Sequence, residues 1–296
     1  MEIILGKTAG FCYGVTRAVD GAKEEIKNNN EIYCLGEIVH NKNVVKKLEQ
    51  DGMKFIDNIE DAKGKTIIRA HGIPKETYEK ANEMNIEIKD LTCPHVLKIH
   101  KIAEEYSEKG FFIVLLGKQN HPEVIGIASF CGNNMAIIED EQGIENAVNL
   151  IKKIQIKDVI VIAQTTYNSK KFDKIVSELK SKLSEKINFE INKTICPATE
   201  VRQKETENIA KQVDIMIIIG DKKSSNTNKL YNISCDYCNR VVFIENEKEL
   251  NLNDFYDASK IGIMAGASTP NEDIQVVIKI LENGGIKWIF IKNKRE

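Results

Sequence analysis

Apolar residues along this chain fall into short unbroken runs rather than into alternating patterns. Ile3–Leu5, Ile32–Leu35, Phe111–Leu116 and Ile215–Ile219 are apolar throughout, and longer stretches rich in charged residues separate them. Unbroken runs of this length predict strands covered on both faces, and the segments between them predict helices. The blocks also repeat. Ile3-Ile4-Leu5 leads to Cys12 and a helix to about Lys27. Ile86-Glu87-Ile88 leads to Cys93-Pro94 and a helix to about Lys109. Ile187-Asn188-Phe189 leads to Cys196-Pro197 and a helix to about Lys211. Proline suits a first helical turn, where its missing N–H would be unpaired anyway, so each cysteine is expected at a helix N-terminus.

The repeat continues beyond each helix. A strand ends in a polar turn, and His40, His121 and Ser224 each stand twenty-eight residues after a module's cysteine. A second helix and a short strand follow. The next strand then ends in Arg69-Ala70-His71-Gly72, in Gln164-Thr165-Thr166 or in Gly266-Ala267-Ser268-Thr269, and a third helix leads back to the next cysteine strand. Ile286–Ile291 is expected to be the final return strand, with no cysteine after it. The fold class is therefore α/β: three similar modules with parallel sheets, arranged around a pseudo-threefold axis. Their boundaries are set at 1–92, 93–195 and 196–296. Ligands of open parallel sheets bind beyond the carboxyl ends of the strands, where all these polar turns lie.

Composition narrows the function. Basic residues number 42 and acidic ones 44, for a formal charge of −2, which disfavours a nucleic-acid binder working through overall basicity. No apolar run approaches the ~20 residues of a membrane helix, and the N-terminus lacks the pattern of a signal peptide, so a cytoplasmic protein is expected. Seven cysteines, an odd number, do not make a secreted disulfide framework.

Cys12, Cys93 and Cys196, one per module, are instead suited to a shared metal site: a zinc, or a 4Fe–4S cluster with one iron left open. A helix N-terminus favours thiolate and negative cluster charge. Cys34 and Cys131 are expected in the core, and Cys235 and Cys238 are expected to be ordinary core or surface thiols. His40, His71, His121, Ser224, Ser225, Asn226 and Ser268 offer donors at strand ends and suit an oxyanion such as diphosphate. Glu123 is the carboxylate placed to give a proton. Asp221 is expected to be solvated beside Lys222 and Lys223, and His95 and His100 to lie on a helix surface.

The motifs resemble those of one family. Ala9-Gly10-Phe11-Cys12-Tyr13-Gly14-Val15, Glu37-Ile38-Val39-His40-Asn41, Ala70-His71-Gly72, Thr92-Cys93-Pro94, His121-Pro122-Glu123-Val124, Gln164-Thr165-Thr166, Thr194-Ile195-Cys196, Ser224-Ser225-Asn226 and Ala265-Gly266-Ala267-Ser268-Thr269-Pro270 stand in this order. As an ordered set they resemble the LytB/IspH family of 4-hydroxy-3-methylbut-2-enyl diphosphate reductases, over essentially the whole chain. The resemblance implies a central 4Fe–4S cluster held by Cys12, Cys93 and Cys196. It implies a diphosphate site of His40, His71, His121, Ser224, Ser225, Asn226 and Ser268. Glu123, Thr165 and His121 are the implied catalytic residues, with Thr166 beside the substrate.

The implied reaction removes the C4 hydroxyl with two electrons and two protons, giving isopentenyl and dimethylallyl diphosphate at the end of the non-mevalonate isoprenoid pathway. Reduced ferredoxin or flavodoxin is the implied electron donor; neither a nucleic acid nor a membrane is an expected partner. The RNA-binding S1 repeats that follow in some members are not expected here. Two alternatives fit the residues alone: a non-redox iron–sulfur hydro-lyase, and an iron–sulfur or zinc sensor.

Overall fold

The computed structural model describes residues 2–29 and 31–283. Strand β1 (Glu2–Leu5) leads by a loop into α1 (Tyr13–Asn28). Next come β2 (Ile32–Leu35), α2 (Lys42–Gln50), β3 (Met53–Ile56), β4 (Thr66–Ile68), α3 (Lys75–Glu83) and β5 (Ile88–Asp90). After α4 (Pro94–Glu108) the chain forms β6 (Phe112–Leu116), α5 (Pro122–Ala128), β7 (Met135–Ile138), α6 (Ile144–Ile154), β8 (Asp158–Ala163), α7 (Ser169–Lys182) and β9 (Asn188–Ile191). After α8 (Pro197–Ala210) follow β10 (Ile215–Ile219), α9 (Ser225–Tyr237), β11 (Val241–Ile244), β12 (Lys260–Ala265) and α10 (Asn271–Asn283). The expected strand Ile286–Ile291 lies outside the described residues.

Among the described residues the strands form three parallel four-stranded sheets, ordered β3-β2-β4-β5, β7-β6-β8-β9 and β11-β10-β12-β1. One topology is used three times. In each sheet the strand before a cysteine sits at the edge, beside the strand that leads to His71, Thr165 or Ser268.

The third sheet corrects the boundary at 1–92. Its edge strand is β1, which pairs with β12 in the register Ile3↔Ile261 and Leu5↔Ile263, and not with the sheet of β2–β5. Ile3 is buried in one apolar cluster with Ile215, Ile217, Ile261 and Ile263. Local pattern shows that residues 3–5 make a strand; which sheet buries it is a long-range matter.

The middle strands β2, β6 and β10 are buried at every position, as unbroken apolar runs require when helices cover both faces. Alternate residues of β6 serve opposite faces. Phe112, Val114 and Leu116 pack with Phe172, Ile175 and Leu179 of α7. Ile113 and Leu115 pack with Ile99 and Ala103 of α4 and with Val124 and Ile127 of α5. The second module also carries α6, whose Ile144, Ala147, Val148 and Ile151 join the Phe112 face.

His100 departs from the helix-surface expectation. It is 4% exposed, on the α4 face of Val96, Ile99 and Ala103, and its ring stacks on Phe130 with centroids 4.5 Å apart. Burial lowers its pKa to about 4, so the imidazole is neutral at pH 7. His95, one turn earlier, is exposed as expected.

Two compact units make up the chain. One takes the residues up to Val15, the segment His40–Val44 and the chain from Pro197 onward; the other takes Thr16–Val39 and Val45–Cys196.

Candidate functional site

The unit with the N-terminal strand holds Cys12, His40, Ser224, Ser225, Asn226 and Ser268. Cys12 ends the loop after β1, and its N–H donates to the carbonyl of Ala267 at the end of β12 (3.2 Å). Next to Ala267, the Ser268 hydroxyl donates to the carbonyl of His40 (2.8 Å). Ser224 caps α9 by accepting the Thr227 N–H (3.3 Å). Asn226 is buried in the first turn of α9, and its Nδ2 has no acceptor among the described residues. A buried amide donor at a helix N-terminus is what an anion requires. Gly266 exists for close packing: a Cβ there would meet the Thr227 hydroxyl at 2.1 Å. Asp221 is not solvated as expected; it is buried, and its carboxylate accepts the Lys223 N–H at 2.7 Å.

The other unit holds Cys93, Cys196, His71, His121, Glu123, Thr165 and Thr166. The two cysteines repeat the Cys12 junction. The Cys93 N–H donates to Ala70, beside His71, and the Cys196 N–H donates to Thr165, each at 3.0 Å. His121 stands at the N-cap of α5, with its ring edge-on to that of His71 (centroids 5.5 Å). Its Nδ1 accepts the Glu123 N–H at 3.1 Å, so Nδ1 is unprotonated and neutral His121 carries its proton on Nε2. That tautomer makes Nε2 a donor.

Glu123, in the first turn of α5, is 2% exposed. Its two oxygens accept the Thr165 N–H (2.6 Å) and the Thr165 hydroxyl (2.8 Å). Burial raises its pKa to about 7, against the lowering effect of both Thr165 donors. Gln164, beside it at the end of β8, is buried with its Nε2 lacking an acceptor among the described residues.

The thiols sort by environment. Burial pushes Cys34 and Cys131 up to about 12, so neither is available as thiolate. Cys238 is buried with its sulfur near the carbonyls of Val213, Asp214 and Arg240, and Cys235 is exposed near the end of α9. Cys12, Cys93 and Cys196 are the half-buried ones, each at an equivalent strand–helix junction. A half-buried thiol at a helix N-terminus is the kind of donor that a thiolate-ligated metal group takes.

The family model for LytB protein matches residues 3–282. This chain belongs to the LytB family. It is similar to the 4-hydroxy-3-methylbut-2-enyl diphosphate reductase of Clostridioides difficile (strain 630), at 42% identity over 96% of this chain and 100% of that protein. The solved (E)-4-hydroxy-3-methyl-but-2-enyl diphosphate reductase, described as the terminal enzyme of the non-mevalonate pathway, has 36% identity and a TM-score of 0.68, covering 96% of this chain and all of its own. The E-1-hydroxy-2-methyl-but-2-enyl-4-diphosphate reductase of Plasmodium falciparum aligns at 29% identity with a TM-score of 0.89, over 99% of this chain and 93% of its own.

For a LytB chain the strand-end motifs are visible in spacing, but spacing assigns no role to Gln164 or Arg69. Arg69 is half-buried against Gly36, where a Cβ would come within 2.2 Å of its Nη1. Gly36 has a φ of +70, and that left-handed backbone favours glycine there. No helix is long and apolar enough to cross a membrane among the described residues.

Proposed function

We propose that this LytB-family chain is a 4-hydroxy-3-methylbut-2-enyl diphosphate reductase, breaking the C4–O bond with two electrons and two protons and releasing water with isopentenyl and dimethylallyl diphosphate. The observation that carries the reading is Glu123: a buried carboxyl with a pKa near 7, held by Thr165 one residue from Gln164 and hydrogen-bonded by backbone to the Cys196 junction. A group with that pKa is half protonated at neutral pH and can deliver a proton to a leaving hydroxyl.

Cys12, Cys93 and Cys196 are the residues that would hold a 4Fe–4S cluster. When bound, that group supplies electrons and a Lewis-acidic open iron. The chain's own side chains do the rest. His40, His71, His121, Ser224, Ser225, Asn226 and Ser268 bind the diphosphate, with His121 offering Nε2–H and Asn226 its Nδ2 donors. Anchoring the diphosphate fixes the position of the reacting carbon and lowers the entropic part of the barrier. Thr165 orients Glu123, and Thr166 adjoins the substrate. The donor of electrons is reduced ferredoxin or flavodoxin. The test is anaerobic purification followed by an assay on the hydroxylated allylic diphosphate. Turnover that depends on added reductant is expected; turnover without reductant would replace the reductase with a hydro-lyase.

A further inference from the structure

The chain has only five arginines (Arg17, Arg69, Arg202, Arg240 and Arg295) among its 42 basic residues. Lysines make most of the exposed ion pairs. Two arginines instead reach main-chain carbonyls beside the cysteine junctions. Arg17, on α1, donates from Nη1 to the carbonyl of Thr92, the residue before Cys93 (3.0 Å), with a longer contact from Nη2 to Asp90 (3.5 Å). Arg202, on α8 and 4% exposed, donates from Nη2 to the carbonyl of Gly10, two residues before Cys12 (2.8 Å).

The pattern follows the repeat. Each of these helices begins just after one junction cysteine, and its arginine, five or six residues on, holds the junction of another. One α8 turn later, Glu205 accepts the N–H groups of Lys7 (2.7 Å) and Thr8 (2.9 Å), so two side chains on one face of α8 grip the loop to Cys12. At the Cys196 junction the corresponding hold comes from the Thr194 hydroxyl, which bonds both the N–H and the carbonyl of Ala163 (2.7 and 2.6 Å).

We propose that Arg17 and Arg202 are positioning residues that fix the Thr92–Cys93 and Gly10–Cys12 segments and so set how firmly those cysteines retain an iron–sulfur group. The inference rests on the cluster assignment above. Each cysteine N–H is already tied to a neighbouring turn, at Ala70 or Ala267. The guanidinium secures the other flank of the same segment, leaving the thiol little freedom to swing away from a metal. Arginine suits the task because it stays charged at every working pH and presents several donors in one rigid plane. A fixed cation at the junction also complements an anionic thiolate group. Partners that orient ligands in this way carry about ten- to a hundredfold in metal retention.

The experiment reconstitutes wild-type protein and the variants Arg17→Ala, Arg17→Lys, Arg202→Ala and Arg202→Lys with iron and sulfide under anaerobic conditions. It then follows the rate of iron transfer to a ferrous chelator, beside the thermal midpoint of each apoprotein. Arg240→Ala, which removes an exposed ion pair with Asp257 and a hydrogen bond to the Asp254 carbonyl, both away from the cysteine junctions, is the control. Iron should leave both alanine variants at least about tenfold faster than wild type. The lysine variants should be intermediate, the control should match wild type, and the apoprotein midpoints should not follow this order. Wild-type rates in the folded arginine variants would overturn the proposal. So would rates that simply track apoprotein stability. Should an alanine variant not fold, its lysine counterpart decides, and failure of that variant to fold also overturns the proposal by making the arginine a fold determinant. A wild-type protein that binds no iron–sulfur chromophore would instead defeat the cluster assignment itself.

Discussion

At Glu123 two opposing effects meet on one carboxyl. Burial favours the neutral acid, and the two Thr165 donors favour the carboxylate; burial prevails, leaving the pKa at about 7. Turnover that depends on the protonated form should therefore fall about tenfold per pH unit above 7. Glu123→Gln keeps the size and much of the hydrogen bonding but has no proton to give. Its turnover should drop ~10²–10⁴-fold and lose that alkaline limb, while metal content and diphosphate affinity stay near wild type. A fully loaded Glu123→Gln enzyme with wild-type steady-state rates would remove Glu123 from proton delivery. Stability gives a second check. Because the folded pKa lies above the unfolded value near 4.5, the native state holds this proton more tightly. The contribution is fully present below pH 4.5 and is lost as pH rises through about 7. It amounts to roughly 3 kcal/mol across that window and should be missing from denaturant titrations of Glu123→Gln.

The cysteines make an equally sharp contrast. Cys12→Ser, Cys93→Ser or Cys196→Ser should abolish the brown chromophore, measured by visible absorbance after anaerobic purification. Cys34→Ala, Cys131→Ala, Cys235→Ser and Cys238→Ala should keep it, since two of these thiols are held protonated by burial and the others lie away from the repeated junctions. Loss of the chromophore on changing Cys235 and Cys238, with Cys12 dispensable, would reverse the assignment.

Among the elements, helix N-termini hold the residues proposed for the chemistry, and their caps separate stability from binding. Ser224 caps α9 through the Thr227 N–H, and Asn168 caps α7 through the Lys171 N–H at 2.9 Å. Alanine at either should cost about 1 kcal/mol in chemical unfolding. Only Ser224→Ala should also weaken binding of inorganic diphosphate in anaerobic calorimetry, by about 1–3 kcal/mol. Equal affinities in the two variants would take Ser224 out of the anion site. These N-termini were legible in sequence because a strand, a turn residue and a helix start are local events, and threefold recurrence separates Cys12, Cys93 and Cys196 from Cys34 or Cys131. Burial was less legible. His100 follows Ile99 on the apolar stripe of α4, but a polar residue on such a stripe reads as surface until its neighbours, Phe130 and the glycines at 72 and 126, are known. Asp221 between a strand and two lysines misleads in the same way, since its only announced company is charged.

For the molecule as a whole, the consequential feature is that the first strand completes the last sheet. The motif before Cys12 matches those before Cys93 and Cys196, yet β5 and β9 close the sheets that precede them in the chain, whereas β1 joins a sheet whose other strands all follow it. It fills the same edge beside β12, the one arrangement that gives all three sheets the same order. The N-terminal strand and the strands from Ile215 to Ala265 should therefore open as one cooperative unit. Ile3→Ala tests this, because Ile3 is 3% exposed and packs with Ile215, Ile217, Ile261 and Ile263. Truncation at such a site costs about 2–5 kcal/mol. Hydrogen exchange read by mass spectrometry should show faster exchange in peptides covering β10, β11 and β12, with peptides covering β2–β5 unchanged. Faster exchange in β2–β5, which β1 precedes directly in sequence, with β10–β12 unaffected, would show that the strand stabilises the sheet nearest along the chain and not the one it pairs with.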